Sequence, residues 1–446
     1  MSEAVEHLAK RAREASFVMQ SLSEEKRNEA LMQMKQCLLD SKDQIFEANT
    51  LDKSLALETN VDPTLQARLN VMGDKFDTLI EGLDILYKME DLVGKTQLAK
   101  EITPGLNLYR VSNPIGVICV IFESRPEAVI QISSLVIKSG NCVILKGGKE
   151  AVNSNQALVD ALRLGLDRAG LPQDAIQLVA SRGEVETLLK LNQYVDLIIP
   201  RGGNALVRYV MDHTSIAVLG HADGICHTYL DLDCDTLVDM ACKIVVDAKT
   251  NYPAACNSLE TLLVHRSVLH TVLPKVGLAL HKAGVVMIAD HDCFNVLPQG
   301  SAELAPSGFQ FNVEHLALKL SVKVVDSLQQ AVDHINQFGS HHTDVIVTAN
   351  MTVAEEFCRK VDSAGTFVNC SSRFADGFRF GFGFEVGVST NRLHARGPVG
   401  IEGLLTYKYV MRGNGQVVTG MKVTDYTHVD LTPKDEEHSV KRLRPF

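Results

Sequence analysis

From Gly116 onward, short apolar runs alternate with helical stretches, and this feature most constrains what the chain can fold into. The first five runs are VICVIF at 117–122, CVILK at 142–146, IQLVA at 176–180, VDLIIP at 195–200 and IAVL at 216–219. Strands that read as continuous apolar segments are typical of parallel sheets with both faces covered by helices. The pattern predicts an α/β domain that extends to about residue 224.

A second series of strand-like runs predicts a second α/β domain. Its strands are expected near TLLVH, VVMIA, VKVVD, DVIVT and TFVN, with helical segments such as 269–281 between them. Residues 1–95 carry helical periodicity almost throughout. Two stretches fit neither sheet, LNLYRVSN near 106–113 and the tail after about Leu404 with TYKYVMRG and QVVTG. Both are interpreted as extended ribbons, of the kind that pair between subunits.

Charge and hydropathy exclude several classes of partner. Among 446 residues, 44 Lys and Arg oppose 54 Asp and Glu, and 44 − 54 gives a formal net charge of −10. Without dense basic segments, nucleic acid and anionic membranes are poor partners. No apolar run approaches the roughly 20 residues that a bilayer crossing requires. The N-terminus lacks a secretory core, so the cytoplasm is expected, with mitochondrial import as a lesser alternative.

The ten cysteines contain no CxxC pair and are expected to be reduced thiols. No His and Cys spacing resembles a metal site, so no metal is expected. The chain also lacks a GxGxxG after the first strand of the α/β block, a Walker loop, a GxSxG elbow and an HExxH helix. Cysteine chemistry and glycine-rich turns remain as the candidates.

Polar or glycine-rich turns follow the strands of the first α/β domain. They are FESRP at 122–126, KGGKE at 146–150, SRGE at 181–184, PRGGN at 200–204 and GHADG at 220–224. Ligands of open parallel sheets bind at the carboxyl ends of strands. Lys146, followed by two glycines, offers an ammonium and bare backbone to a ribose or phosphate. A single KGG turn would favour a solvated surface lysine, but five such turns in series favour a binding edge.

Cys256 is the strongest nucleophile candidate, because small neighbours in PAACN leave room for a substrate. Exposed backbone N–H groups at such a turn stabilise a thiolate and can hold an oxyanion. Arg373 and Arg396 lie in glycine-rich loops and could grip a carboxylate or phosphate through the planar guanidinium. The alternative is that these arginines pair with Asp376 or Glu385 on the surface.

Seven blocks of sequence carry a resemblance to a known family. They are VIFESRPE at 120–127, VILKGGKEAVNSN at 143–155, DLIIPRGGNALV at 196–207, GHADGICH at 220–227, YPAACNSLETLL at 252–263, HTDVIVT at 342–348 and HARGPVGIEGL at 394–404. In order and over nearly the whole chain, they closely resemble the γ-glutamyl phosphate reductase family of the aldehyde dehydrogenase superfamily.

The resemblance implies an aldehyde dehydrogenase-like α/β fold with two parallel-sheet domains and a small β oligomerisation arm. The dinucleotide-binding domain would comprise 1–104 and 114–224, the arm 105–113 and 405–446, and the catalytic domain 225–404. This superfamily binds its dinucleotide without GxGxxG, which explains the missing fingerprint. At least a homodimer is implied.

The resemblance also implies an activity, NADPH-dependent reduction of L-glutamate 5-phosphate to the semialdehyde with release of phosphate, through a thioacyl enzyme on Cys256. Ser124 would be a second oxyanion donor beside the Cys256 N–H. The cofactor residues would be Lys146, Lys149, Gly202, Gly203 and Glu385. The substrate residues would be Arg125, His221, Asn257, Arg373 and Arg396.

One departure supports reduction. Hydrolytic relatives carry a glutamate that activates water, and Val218 in VLGHADG stands at that position. Phe384 and Cys370 stand where the family usually has alanine, and 296–315 looks shorter than in many members. The acyl phosphate would come from a separate glutamate 5-kinase. The rival interpretations are an oxidising NAD-linked aldehyde dehydrogenase, an inactive scaffold and a cofactor-free thiol acyltransferase.

Overall fold

The computed structural model describes residues 2–179, 183–221 and 223–432. These residues form two compact units. The first unit takes in the described residues up to Leu219, together with Phe382–Gly387 and the described residues from Val399 onward. The second unit takes in the described residues of Gly220–Gly381 and Val388–Pro398. The assignment of cofactor and catalytic roles to separate domains, with the boundaries given above, stays a prediction.

Helices are concentrated before the first sheet and between the strands. The described α-helices are α1 Ser2–Met19, α2 Glu24–Asp40, α3 Lys42–Glu58, α4 Pro63–Arg68, α5 Asp74–Lys88, α6 Glu127–Lys138, α7 Val152–Arg168, α8 Gly183–Leu188, α9 Asn204–His213, α10 Val238–Thr250, α11 Leu273–Lys282, α12 His291–Val296, α13 Leu328–Phe338 and α14 Met351–Lys360. The described part of the chain has no helix both long and apolar enough to cross a bilayer.

Strands divide between parallel and antiparallel sheets. In chain order they are β1 Thr96–Thr103, β2 Leu106–Pro114, β3 Val117–Phe122, β4 Cys142–Lys146, β5 Ile176–Val179, β6 Leu197–Arg201, β7 Ala217–Val218, β8 Cys226–Leu230, β9 Leu259–His265, β10 Val286–Ala289, β11 Ala302–Leu304, β12 Lys319–Val325, β13 Thr343–Val347, β14 Gly365–Val368, β15 Gly387–Ser389, β16 Gly397–Val399, β17 Leu405–Arg412 and β18 Val429–Asp430.

The first unit contains a five-stranded parallel sheet in the order β5-β4-β3-β6-β7. All six residues of β3 and all five of β4 are buried. Helices α1 and α6 contact β4, and α7 contacts β5. Burial on both faces explains why these strands carry no polar alternation. Each apolar run of the first series is therefore confirmed as a strand, although the last is reduced to two residues.

The predicted helical N-terminus is confirmed as α1 to α5. Helix α2 begins at the N-cap Ser23, whose side chain accepts a hydrogen bond from the N–H of Lys26. The start of α7 is capped from α3, because Asp52 accepts hydrogen bonds from the N–H groups of Asn153 and Ser154 at 3.2 and 2.7 Å. The carboxylate therefore fixes the helix that follows the KGGKE turn.

The second unit contains a seven-stranded parallel sheet in the order β11-β10-β12-β9-β8-β13-β14. Five of its strands are predicted from the sequence, and two, β8 and β11, are missed. The sequence of β8, CHTYL, looks too polar for a buried strand, yet all five residues are buried. Nδ1 of His227 pairs with Asp344 of β13 at 2.8 Å, so one nitrogen of this buried ring has a partner inside the sheet.

A four-stranded sheet is antiparallel, in the order β17-β2-β1-β18, and β15 and β16 form a separate two-stranded sheet. Strands β2 and β17 match the predicted ribbons, whereas β1 was not expected because TQLAKEIT is largely polar. The prediction of ribbon at QVVTG is wrong. Those residues form a turn, with Met421 N–H donating to Val418 O at 3.1 Å and Gly420 at φ 88°. A role in oligomerisation stays a prediction.

Candidate active site

The KGGKE turn leaves the carboxyl end of β4, where Lys146 is only 9% exposed and donates to the carbonyl of Gly147. A Cβ on Gly147 would lie 2.1 Å from Nδ2 of Asn155, so this close approach requires glycine. Lys149 is exposed three residues later. One ammonium is thus held at the sheet edge while a second reaches solvent.

Ser124, at the end of β3, is tied to the same turn by Glu150. Its N–H lies 2.8 Å from Oε1 of Glu150, and its hydroxyl donates to the same oxygen. Ser124 is buried with φ at 38°, in the left-handed region. Both of its donors are occupied, so acting on an oxyanion would require release by Glu150. The oxyanion role of Ser124 stays a prediction, and Glu150 is a partner that the sequence did not reveal.

The PRGGN turn follows β6 and leads into α9, with Gly203 as the N-cap. Gly203 N–H donates to Glu123 Oε2 at 3.2 Å, and a Cβ on Gly202 would lie 2.6 Å from that oxygen. A Cβ on Gly203 would meet nothing within 4 Å. Arg125, which follows β3, is half-buried and makes no salt bridge to any described residue. Parallel pairing therefore places Arg125, Lys146 and the two glycines along one sheet edge.

Glu385 belongs to the segment 382–387 that returns to the first unit. Its neighbour Phe384 is buried, and its ring lies over Gly82 of α5, where a Cβ would be 2.1 Å from Cζ. Two residues after Glu385, a Cβ on Gly387 would lie 3.6 and 3.8 Å from the side chains of Ile199 and Arg201 of β6. The segment therefore holds Glu385 close to the same edge of the five-stranded sheet.

In the second unit, Cys256 lies in the turn between α10 and β9. Ala255 N–H donates to Tyr252 O at 3.1 Å, and Ser258 N–H to Ala255 O at 2.9 Å. The intervening N–H groups of Cys256 and Asn257 donate to no other described residue. Two adjacent backbone donors beside a half-buried thiol are the groups that an oxyanion hole requires, and that role stays a prediction.

Gly224 packs against the backbone of the cysteine turn, because a Cβ there would lie 2.2 Å from Cys256 O and 2.5 Å from its Cα. Cys226 donates its S–H to Cys256 O at 3.3 Å. The side-chain amide of Asn257 donates to Ala375 O at 2.8 Å. Its Oδ1 is buried and accepts nothing from the described residues. The turn is therefore fixed on several sides, with one acceptor left over.

His221 and His342 flank the cysteine. One ring nitrogen of each histidine and the Sγ of Cys256 lie within 4.8 Å of one another. His221, a predicted substrate residue, is thereby placed at the nucleophile. Sequence analysis missed His342, although it opens the HTDVIVT block, because a histidine before an apolar run carries no signal of its own.

A buried ion pair supports the cysteine turn. Lys249 Nζ at the end of α10 and Glu260 Oε2 at the start of β9 are 2.8 Å apart, and both side chains are fully buried. Burial raises the pKa of Glu260 to about 7, while Lys249 and the N–H groups of His315 and Leu316 favour its charged form. The pair was not foreseen, because its partners lie eleven residues apart on different elements.

The two predicted arginines have different surroundings. Arg373 donates a hydrogen bond to Asn251 Oδ1 at 3.4 Å. Its pKa is lowered mainly by burial and then by the charge of Arg379. The guanidinium also lies within electrostatic range of Cys256. Arg396 instead donates to Asp362 at 2.8 Å, beside a cavity of about 330 Å³. The geometry at Arg396 favours surface pairing, with Asp362 as the partner in place of Asp376 or Glu385. Its substrate role stays a prediction.

Within the turns themselves, residues 181 and 182 of SRGE and residue 222 of GHADG lie outside the described residues.

The chain is similar to known proteins both in sequence and in structure. The family model described as "Aldehyde dehydrogenase family" matches residues 1–293. A "Gamma-glutamyl phosphate reductase" of Cyanothece sp. is 48% identical over 427 residues, covering 95% of this chain and 97% of the relative. One of Acetivibrio thermocellus is 46% identical, covering 93% and 95%. The crystal structure of "Gamma-glutamyl phosphate reductase" from Thermotoga maritima is 34% identical, with a TM-score of 0.88, covering 93% and 99%.

Proposed function

The chain belongs to the γ-glutamyl phosphate reductases of the aldehyde dehydrogenase family, and we propose that it reduces L-glutamate 5-phosphate to L-glutamate 5-semialdehyde with NADPH, releasing phosphate. This reaction is the second step of proline synthesis from glutamate. The observation that carries the proposal is the half-buried Cys256 thiol beside two backbone N–H groups that donate to none of the described residues. An acyl phosphate fits this arrangement, because it needs a nucleophile and oxyanion donors but no strong acid for its leaving group.

Members of the family use a nicotinamide cofactor, and the edge of the five-stranded sheet fits such a group. Gly147 and Gly202 allow the backbone to approach a ligand, and Gly203 opens the ten-residue helix α9 beside open space. Lys146 and Lys149 supply cations, the second suited to the extra phosphate of NADPH. Glu385 is the candidate for the ribose hydroxyls. Bound NADPH supplies the hydride for reduction of the acyl carbon.

The first chemical step belongs to Cys256. Its thiolate attacks the acyl carbon, a C–S bond forms, and the C–O bond to phosphate breaks, so that phosphate leaves with the bonding pair. The N–H groups of Cys256 and Asn257 stabilise the oxyanion of the tetrahedral intermediate. After reduction, the hemithioacetal collapses to the aldehyde and restores the thiolate.

Val218 explains why the thioacyl enzyme survives until reduction. A valine cannot accept a proton from water, and this side chain stands where hydrolytic relatives carry a general base. The oxidising NAD-linked interpretation therefore lacks a deacylating group. The acyltransferase interpretation leaves the glycine turns and cations of the first sheet without a ligand.

Substrate-binding roles are proposed for His221, Asn257 and Arg373. Asn257 Oδ1, buried without a partner among the described residues, is suited to accept a hydrogen bond from the substrate. Arg373 supplies a positive charge within range of Cys256, suited to the phosphate. Arg125 and Arg396 remain weaker candidates.

Three further parts of the proposal concern the surroundings of the enzyme. A separate glutamate 5-kinase would supply the acyl phosphate, and the antiparallel sheet would join subunits into a homo-oligomer. A cytoplasmic location is supported by the thiols, since all ten cysteines lie within the described residues and are free.

The test runs the reaction backwards. Glutamate semialdehyde, in equilibrium with its cyclic form, should reduce NADP⁺ only when phosphate is present. Cys256→Ala should abolish this activity, whereas the control Cys370→Ala, which installs the usual family residue, should retain it. Turnover without phosphate would mean that water deacylates the enzyme, and full activity of Cys256→Ala would exclude the thioacyl mechanism.

A further inference from the structure

Three side chains from three separate loops meet at the cysteine turn, namely His221, Cys256 and His342. Their ligand atoms, one nitrogen of each ring and the thiol sulfur, lie within 4.8 Å of one another. The residues are spread over 121 positions, so no sequence spacing reveals them. The sheet order brings them together, because their loops precede the adjacent strands β9, β8 and β13.

The hydrogen bond that His221 makes determines which of its two ring nitrogens carries the lone pair. Its Nδ1 lies 2.9 Å from Val388 O, and a carbonyl oxygen can only accept. Nδ1 therefore carries the proton, and Nε2 carries the lone pair. A histidine whose other nitrogen donates to a backbone carbonyl has the orientation and tautomer found in metal ligands.

His342 provides an independent observation that points to a ligand. Its side chain is 1% exposed, and its Nδ1 is bonded to Thr343 Oγ1 at 2.9 Å. Its Nε2 is buried and has no hydrogen-bond partner among the residues that the structure describes. An orphaned nitrogen inside a protein is costly unless something binds it. The ring packs edge-on against His221, with centroids 5.3 Å apart.

Donor chemistry selects the ion. Two imidazole nitrogens and a thiolate suit Zn²⁺, whereas Mg²⁺ and Ca²⁺ prefer oxygen. In a tetrahedral zinc site, such ligand atoms stand about 3.3–3.6 Å apart, so the three groups need to close by about an ångström. Glu314 lies within electrostatic range of both Asp223 and His221. Arg373, which carries the opposite charge, lies within electrostatic range of Cys256. Lys249 also lies within electrostatic range of Glu314, but it is paired with Glu260. These groups together carry more carboxylates than cationic side chains, which favours a cation.

We propose that His221 Nε2, Cys256 Sγ and His342 Nε2 form a reversible Zn²⁺ site that takes the catalytic thiolate out of use. On binding, the thiol proton passes to solvent, a Zn–S bond forms, and no electron is transferred. The fourth position stays open to water. Zinc binding follows from the geometry alone, and only its consequence, inhibition that a chelator reverses, rests on the proposed function.

Cobalt serves as the spectroscopic probe on the reduced, chelator-treated full chain. One Co²⁺ per chain should give thiolate-to-metal charge-transfer absorption and tetrahedral visible bands, both removed by Zn²⁺. Cys256→Ser should abolish the charge-transfer absorption. His342→Asn should weaken binding at least about tenfold. The matched control is His341→Asn, since His341 bonds Asp362 outside the cluster, and asparagine tolerates its φ of 60°.

A second measurement uses the unmodified protein, so that it does not depend on the folding of a variant. Zn²⁺ should slow iodoacetamide alkylation of Cys256, followed by peptide mass mapping, at least about tenfold, and a chelator should restore the rate. A charge-transfer band that survives in Cys256→Ser, equal affinity in a folded His342→Asn, or alkylation indifferent to zinc would each overturn the site. Activity of Cys256→Ala would instead count against the proposed function and leave zinc binding standing.

Discussion

Gly224 determines the position of the nucleophile at the scale of a single residue. A methyl group there would overlap the backbone of Cys256, with contacts of 2.2 and 2.5 Å that no side-chain rotation can relieve. We expect Gly224→Ala to lower kcat/KM at least about 100-fold, since a displacement of an ångström at reacting atoms costs that much. Steady-state kinetics with circular dichroism checks this. A folded variant with near-normal activity would contradict the packing argument.

His334 couples stability to pH. Burial, then the charges of His227 and Lys323, lower its pKa to about 3. Because the pKa of His334 in the folded protein lies below the ordinary 6.5, the neutral side chain contributes to stability above pH 6.5. This contribution is lost as the pH falls toward 3. Urea unfolding between pH 7 and 4 should show this as a slope of up to about 1.4 kcal/mol per pH unit.

His334→Phe keeps a ring beside Phe338 but removes the titrating group. The variant should lose that part of the slope, whereas His270→Phe, at an exposed position, should keep it. Parallel slopes for all three proteins would show that His334 does not carry the dependence.

At the scale of elements, the cofactor edge depends on how α7 is anchored. Asp52 accepts four hydrogen bonds from the backbone and side chains of Asn153 and Ser154, at 2.6 to 3.2 Å. We expect Asp52→Ala to lower the free energy of unfolding by about 2–3 kcal/mol, since buried donors lose a charged acceptor. Loosening of the preceding KGGKE turn should raise KM for NADPH more than it lowers kcat.

Asp160→Ala provides the control for this prediction, because Asp160 is exposed on the same helix and bonds only Gln156 within it. Thermal melts and NADPH kinetics of both variants check the expectation. Equal melting temperatures for the two would show that α7 does not need its cap.

The segment that carries Glu385 is anchored by one aromatic ring. Phe384 is 9% exposed and packs on Gly82 of α5. Phe384→Ala should lower the free energy of unfolding by about 3 kcal/mol or more through the cavity it leaves. KM for NADPH should rise as Glu385 loses support. The control Phe382→Ala removes a ring that is 40% exposed and should cost much less. An unchanged KM for NADPH in Phe384→Ala would show that Phe384 does not support cofactor binding.

At the scale of the whole molecule, β17 is an edge strand of the antiparallel sheet, with no further strand of the described residues paired to it. Tyr407, Tyr409 and Met411 form a stripe on one face of this strand and are 50, 59 and 56% exposed. An exposed edge with apolar side chains is a site of pairing between chains. Light scattering should give the molar mass of at least a dimer, and Met411→Asp should lower the measured molar mass of the oligomer. Lys408→Asp, on the opposite face, is the control. A monomeric wild-type protein would exclude a role of the antiparallel sheet in oligomerisation.

Much of the architecture was readable from the sequence. Continuous apolar runs such as VICVIF identified parallel strands covered on both faces, because only such strands exclude polar residues from both sides. Small residues around Cys256 predicted a nucleophile there, and the turn after β4 predicted a cofactor-binding Lys146; both roles stay predictions. Strands β8 and β1 were not predicted, because both contain polar residues: in β8 a buried Asp344 pairs with one nitrogen of His227, and in β1 most residues are partly exposed.

Tertiary structure alone decided which loops meet. Strands buried on both faces look alike in sequence, so the order that sets β9, β8 and β13 side by side cannot be read from their composition. That order brings His342 to Cys256. Likewise, the partners of Ser124 and Arg396, Glu150 and Asp362, lie 26 and 34 residues away. Charge pairing depends on distance in space, and the sequence by itself records only distance along the chain.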